Sequence, residues 1–216
     1  MRRLVLVRHG QTAWNAAGRI QGQLDALLDE VGRAQARAVA PVVAAMSPAL
    51  IRSSDLSRAR VTAETIASAC GLPVSFDERL REYAMPPLEG LTHEEYAARD
   101  PHGFELFRAG EWDAIPEIEA PEVVAKRLTD ALAEVVGALG ADDLGVVVAH
   151  GACIRTGLIA WLGWPLELAK DLRPLTNCAR VELAERENGR WAVASYNLAA
   201  PSASGHPRFH RARRVL

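Results

Sequence analysis

Cysteine is scarce. Cys70, Cys153 and Cys178 are widely spaced, odd in number and free of any CxxC pair, which leaves no basis for a disulfide framework or a cysteine zinc site. Reduced thiols in a cytoplasm fit this usage. An excess of charge of either sign is lacking too. With 25 Lys+Arg against 27 Asp+Glu, the net charge is -2, too small for bulk attraction to nucleic acid or an anionic membrane. No apolar run approaches transmembrane length. Met1-Arg2-Arg3 looks like the start of a signal peptide, but the apolar stretch behind it ends at Val7, short of an h-region. No segment repeats another. There is no GxSxG elbow, no GxxxxGK[ST] loop and no properly spaced GxGxxG, and His93-Glu94-Glu95 does not complete HExxH. The expectation is a soluble cytoplasmic chain without a nucleic-acid or membrane partner.

Hydrophobic residues make up 49% of 216 positions, enough for one domain with a substantial core. Leu4-Val5-Leu6-Val7 spells a buried strand that runs straight into Arg8-His9-Gly10. Such an exit is either a capped strand with a surface His, or a phosphate-handling corner at the carboxyl end of a central strand, where open α/β sheets place their ligands. The pattern returns at Leu144–Ala149, a second buried strand ending in His150-Gly151.

Between the corners, strand and helix signals alternate. Thr12–Asp25 reads as a polar loop. A helix from Asp29 to Met46 follows, its apolar face Val31, Ala34, Ala38, Val42 and Met46, with Pro41 expected to kink or split it. Ala49–Ile51 is a short strand. A helix with N-cap candidates among Ser53–Ser57 then runs to Gly71. Leu72–Phe76 is a strand that Pro73 demotes towards an edge. Residues 83–120 break the rhythm with prolines, aromatics and short helices at Thr92–Arg99 and Gly103–Ala109, as a lid or insertion does. Pro121–Leu139 is the clearest helix, bounded by Gly140, with Val124, Leu128, Ala131, Val135 and Leu139 on one face. Another helix runs from Ala152 to Leu162. Arg180–Leu183 and Trp191–Tyr196 pair through Asn188-Gly189. The fold expected is a three-layer α/β/α sandwich on a mostly parallel sheet. Residues 1–200 form one domain with an insertion at 83–120, and 201–216 form a basic tail.

In a parallel sheet all carboxyl ends lie on one edge, so His9 and His150 can share a crevice if their strands are neighbours. Arg58, in the first turn after the second strand, reaches that edge, as does Glu82 after the third. Arg8 and Arg58 suit a forked grip on phosphate oxygens. Their cations disfavour imidazolium and so keep a nucleophilic imidazole neutral. A hydrogen bond from its other nitrogen would fix the tautomer. Glu82 suits a general acid that protonates a leaving alkoxide, and afterwards a base for water. His150 and the helix N-terminus behind it can receive phosphoryl oxygens. Glu89 is the rival carboxylate. The bland alternative for Arg58 is a solvated helix residue, and for Arg155 a structural ion pair beside a substrate role. Arg60 is expected to pair with Glu64 across one turn. Tyr83, Phe104, Phe107 and Trp112 are candidates for packing or for a substrate wall. A metal held by His9, His150 and Glu82 would be repelled by the two arginines, so no metal is expected.

These residues carry a resemblance. Arg8-His9-Gly10-Gln11-Thr12 with Asn15, Ser54–Ala59 with Thr62–Thr65, Leu80-Arg81-Glu82 with Glu89–Thr92, and Ala149-His150-Gly151 with Ile154-Arg155 together resemble the histidine phosphatase superfamily, branch 1, of phosphoglycerate-mutase-like fold. The resemblance implies a metal-independent, cofactor-free phosphatase acting on a small phosphomonoester through a phosphohistidine at His9. It implies Glu82 as proton donor, His150 as the second catalytic histidine, and Arg8, Arg58, Asn15, Gln21 and Gly151 as phosphate or substrate contacts. Tyr83-Ala84-Met85-Pro86-Pro87-Leu88 departs from the family pattern and stiffens the donor loop. Cofactor-dependent phosphoglycerate mutases share the chemistry but usually carry a longer insertion before the second histidine. A catalytically dead phosphoester-binding module is the alternative of another class. Gly18–Asp25 is similar to a group of actinobacterial phosphatases for glucosyl-3-phosphoglycerate; a broader sugar-phosphate phosphatase fits equally. Dimers occur in the family, which makes a homodimer the starting expectation.

Overall fold

The computed structural model describes residues 1–200, and the basic tail expected at 201–216 lies outside the described residues. Six strands, β1 (Arg3–Arg8), β2 (Leu50–Ser53), β3 (Val74–Phe76), β4 (Leu144–Ala149), β5 (Arg180–Glu185) and β6 (Trp191–Leu198), form one sheet in the order β3-β2-β4-β1-β5-β6. The first four in that order run parallel. The β5–β6 hairpin is added antiparallel to β1. Seven helices punctuate the described chain: α1 (Ala13–Ala16), α2 (Glu30–Ala44), α3 (Ser57–Cys70), α4 (His93–Arg99), α5 (Pro101–Ala109), α6 (Pro121–Gly137) and α7 (Gly151–Trp161).

Strand periodicity divides the core in two. Leu4 and Leu6 of β1, with Val147 and Ala149 of β4, face a cluster built with α6 and α7. Val5 and Val7, with Val146 and Val148, face the opposite cluster built with α2 and α3. The result is the expected three-layer sandwich. The chain leaves β1 towards α2 on one face and β4 towards α7 on the other, so a crevice opens between the two strand ends. Their register pairs Arg8 with Ala149, which carries His9 and His150 out of the sheet side by side.

Several local expectations are corrected. The 12–25 loop contains α1, started by a capping box between Thr12 and Asn15. α2 buries Gly32, Ala36, Val39, Ala40 and Val43 rather than the predicted stripe, and Val31 is 52% exposed. The smaller face wins because the backbone of α2 lies against the Arg8-His9-Gly10 corner. A Cβ on Gly10 would stand 2.5 Å from the Gly32 carbonyl oxygen, and one on Gly32 would stand 2.7 Å from the Gln11 nitrogen. Pro41 does not split α2, which runs through to Ala44. None of the predicted residues caps α3 with its own side chain; Leu56 occupies the N-cap. Asp25 does it from a distance, accepting from Ser57 N at 2.7 Å and Ser57 Oγ at 2.6 Å. α6 buries its predicted face but closes at Ala138, before Gly140. Arg60 does not pair with Glu64; its guanidinium lies 4.3 Å from the centre of the Phe76 ring.

Replacing Gly32 with Ala tests this packing. Helix propensity alone would favour Ala by about 1 kcal/mol, but overpacking against backbone that cannot rotate away costs about 1–3 kcal/mol. Gly32→Ala should lower the melting temperature by several degrees. A stabilised variant would show that the close approach of α2 to the corner is not limiting.

Candidate active site

His9 leaves β1 fully enclosed, with 3% of its surface exposed. Its Nδ1 lies 2.7 Å from the carbonyl oxygen of Gly10. A carbonyl only accepts, so Nδ1 carries the proton and Nε2 keeps its lone pair. Burial holds the His9 pKa well below the ordinary value, helped by the cations of Arg58 and Arg8. The corner's backbone is gripped from three sides. His9 N donates to Ala149 O at 3.0 Å, Cys178 N reaches Arg8 O at 3.1 Å, and Asn177 Nδ2 donates to His9 O at 3.2 Å. Gly10 N donates to Thr62 Oγ1 at 3.1 Å.

His150, wholly buried, stands with its ring centroid 5.1 Å from that of His9. Arg58 Nε donates to His150 Nδ1 at 3.2 Å, so the proton sits on Nε2, which faces Ser54 Oγ at 2.9 Å. Its pKa is also held well below the ordinary value, first by burial and then by Arg58. Both imidazoles are therefore neutral at pH 7. Arg58 is only 1% exposed. Its Nη1 and Nη2 donate to the carbonyls of Leu24 and Gly22, each at 2.7 Å. Burial lowers its pKa to about 10, so the guanidinium keeps its charge. Arg8 donates through Nη1 to Leu175 O, while its buried Nε has no protein partner. Gly151 lacks a side chain where a Cβ would meet that Nε at 3.3 Å, which lets the guanidinium lie against the start of α7.

Glu82 reaches this corner, but not in the expected way. Its carboxylate accepts from the first-turn amides of α7, Ala152 N at 3.0 Å and Cys153 N at 2.8 Å, and from Tyr83 N at 3.1 Å. Those α7 amides were expected to receive phosphoryl oxygens, and the carboxylate holds them instead. Glu89 is tied elsewhere, accepting from Gln23 N at 2.8 Å and Met85 N at 3.1 Å.

The structure thus brings together Arg8, His9, Arg58, Glu82, His150 and Gly151. Asn15 and Gln21 sit one step back. Asn15 Oδ1 accepts from Thr12 N and from Asn177 Nδ2, and Gln21 Oε1 faces Thr12 Oγ1 at 3.0 Å. Sequence reasoning gave no site role to Ser54, Thr62, Asn177 or the Gly22, Leu24 and Leu175 carbonyls. Ser54 and Thr62 carried a local signal through their place in the second phosphate-binding segment, and Asn177 through the Thr176-Asn177-Cys178 turn, which is compatible with the glucosyl-3-phosphoglycerate phosphatase group. Among the described residues, no cluster of three or more His, Cys, Asp or Glu is placed to hold a metal ion, and no helix is long and apolar enough to cross a membrane.

A cavity of about 870 Å³ lies among the described residues, and none of Arg8, His9, Arg58, Glu82 or His150 lines it. Its wall includes Tyr83, next to Glu82, and Arg155 and Thr156 of α7. The insertion supplies an aromatic shelf. Trp112 meets Tyr83 edge-on at 4.9 Å and stacks on Phe107 at 5.7 Å. Tyr83 is anchored by its hydroxyl, 2.6 Å from Thr156 Oγ1. Arg155 donates to Leu172 O, and its buried Nε has no partner.

Two neutral imidazoles beside buried guanidinium groups, with a carboxylate at the same corner, have the charge and lone pair that handling a phosphoester calls for. The chain belongs to the histidine phosphatase superfamily (branch 1), whose family model matches residues 4–199. It is a phosphatase of that superfamily, with a phosphoglycerate-mutase-like fold. It is 39% identical over 220 residues to glucosyl-3-phosphoglycerate phosphatase of Mycolicibacterium vanbaalenii, covering 94% of this chain and 98% of the relative. It is 36% identical over 211 residues to the probable phosphoglycerate mutase GpmB of Yersinia pestis, covering 95% of each. Its fold superposes with a TM-score of 0.86 on a mycobacterial glucosyl-3-phosphoglycerate phosphatase in complex with VO3, at 37% identity over 92% of this chain and all of the other.

The depressed histidine pKa values make a stability prediction. Below the unfolded-state pKa of about 6.5, the unfolded chain binds protons at both positions while the folded protein does not. Stability should therefore fall as pH drops below about 6.5, with a slope of at most about 1.4 kcal/mol per pH unit for each histidine. Denaturant melts across that window should show a clearly shallower slope in His9→Asn/His150→Asn. An unchanged slope would mean that these imidazoles titrate normally in the folded protein.

Proposed function

We propose that this phosphatase cleaves a phosphomonoester of a small, carboxylate-bearing sugar metabolite, with glucosyl-3-phosphoglycerate the leading substrate, through a phosphohistidine at His9. The observation that carries the chemistry is the unprotonated Nε2 of His9, held in its tautomer by the Gly10 carbonyl and flanked by Arg8 and Arg58. Phosphoryl transfer needs mainly positioning and charge stabilisation, and that is what the residues supply. Nε2 attacks phosphorus as the bond to the leaving oxygen breaks. Arg8, Arg58 and His150 hold the phosphoryl oxygens, and Glu82 gives the leaving oxygen its proton. The Glu82 carboxylate then takes a proton from water as that water attacks the phosphohistidine, which releases phosphate and restores His9. Asn15 and Gln21 act through the Thr12 turn that backs the corner.

The substrate class rests on the cavity. Its volume suits a drug-sized ligand, and aromatic faces such as those of Phe107 and Trp112 suit the apolar face of a sugar ring. The Arg155 guanidinium, on the cavity wall, suits a carboxylate through charge-assisted hydrogen bonding. A phosphorylated glycerate bearing a glucosyl group combines both features, and the Mycolicibacterium relative is named for that substrate. We take residues 1–200 as one catalytic unit in which 83–120 lines the leaving-group side. A phosphoglycerate mutase is the second reading, favoured by the Yersinia relative. It would return the phosphoryl group to a second hydroxyl instead of to water.

His9→Ala should abolish turnover, and labelled enzyme should keep its phosphate in base and lose it in acid. A label that survives acid would identify another nucleophile. Phosphate release from glucosyl-3-phosphoglycerate, with no isomerised product from either phosphoglycerate, would separate phosphatase from mutase. For Arg155→Met, the KM for 3-phosphoglycerate should rise about tenfold or more, as expected for one lost charge-assisted bond, while the KM for glycerol 3-phosphate changes little. An equal rise for both would remove Arg155 from carboxylate recognition.

A further inference from the structure

The segment that carries Glu82 has no regular structure of its own. A short 3-10 turn ends at Leu80, and the chain then runs without helix or strand through Arg81–Ala84. Its backbone polar groups must find partners elsewhere, and one side chain on α6 meets most of that need. Arg127 donates through Nη1 to the carbonyls of Arg79 at 2.7 Å and Arg81 at 2.6 Å, and through Nη2 to the carbonyl of Glu82 at 3.0 Å. Its remaining donors go to Glu119, from Nε at 2.8 Å and from Nη2 at 3.0 Å. All five guanidinium N–H groups are thereby used. Glu119 closes the clamp by accepting from Ala84 N at 3.0 Å. Arg127 and Glu119 side chains are each only 15% exposed, so this is not a solvated surface pair.

We infer that Arg127, oriented by Glu119, positions Glu82 for proton transfer: it holds the backbone on both sides of the carboxylate so that the side chain lies at the start of α7. The inference rests on Glu82 being the proton donor. Arg127 has no N–H left to offer a phosphate or leaving group, so it acts through Glu82. The planar fork matters because three carbonyls and a carboxylate are held at once, which a lysine ammonium cannot do in one plane.

An alkyl phosphate needs protonation of its leaving alkoxide, whereas p-nitrophenolate leaves without it. The ratio of kcat/KM for glycerol 3-phosphate to that for p-nitrophenyl phosphate therefore reads donor function. It is insensitive to the later hydrolysis of phosphohistidine, because kcat/KM covers steps only through leaving-group release. Glu82→Gln should lower that ratio about 100-fold. Arg127→Lys and Arg127→Met should each lower it about tenfold or more, and Arg127→Met should lower it less than about twofold further in the Glu82→Gln background. Glu119→Gln, which leaves the carbonyl bonds of Arg127 in place, keeps the test open if Arg127→Met does not fold. Equal losses on both esters for the Arg127 and Glu119 variants, or full additivity with Glu82→Gln, would overturn the positioning role while leaving Glu82 as donor. A Glu82→Gln protein with an unchanged ratio would overturn the donor assignment and this inference with it.

Discussion

Everything at the site depends on how β1 pairs with β4. The parallel register sets Arg8 beside Ala149, and each strand ends one residue later in a histidine. Because side chains alternate across a strand, a one-residue slip would send one imidazole to the wrong layer. Burial makes such a slip costly. Leu4, Leu6, Val147 and Ala149 pack on one face of the sheet, and Val5, Val7, Val146 and Val148 on the other. The hydrophobic core thus sets the distance between two histidines that belong to distant parts of the sequence.

That placement creates an electrostatic problem, since two guanidinium groups are buried with the imidazoles. A buried charge needs partners. Arg58 takes two carbonyls and the lone pair of His150, and Arg8 takes the Leu175 carbonyl. Neutral acceptors hold the cations without cancelling their charge, as a paired carboxylate would. Positive potential therefore remains available to an anion, and it adds to burial in keeping both histidines unprotonated.

The two strand-to-His-Gly corners and Arg58 were legible because each is written locally, as an apolar run followed by chemistry. Glu82 was legible as a residue but not in its contacts, since the amides that hold it belong to α7. The α2 face was misread because hydrophobic spacing favours Val31 over Gly32, whereas the fold needs a small residue where two backbones cross. Arg127, Glu119 and the Asp25 cap left no local trace. Their partners are loop carbonyls and amides brought together only by the finished sheet, and a single sequence records no such pairing.

The loop at 22–25 shows how these long-range contacts act as a unit. The Gly22 and Leu24 carbonyls hold Arg58, and Asp25 caps the helix that carries Arg58. Between them, Gln23 Nε2 donates to the Glu82 carbonyl at 3.0 Å, and Gln23 N is held by Glu89. Four consecutive residues thus tie Arg58 to the backbone of Glu82. Glu89, the rival carboxylate in sequence, serves this loop instead. Its oxygen crowds Gly22, whose φ of +50° suits glycine. A substitution in this loop would therefore disturb the placement of Arg58 and of Glu82 together. The stretch whose sequence resembles a substrate-specific group of phosphatases is also the strap joining Arg58 to Glu82, so its resemblance reports the construction of the site at least as directly as the choice of sugar.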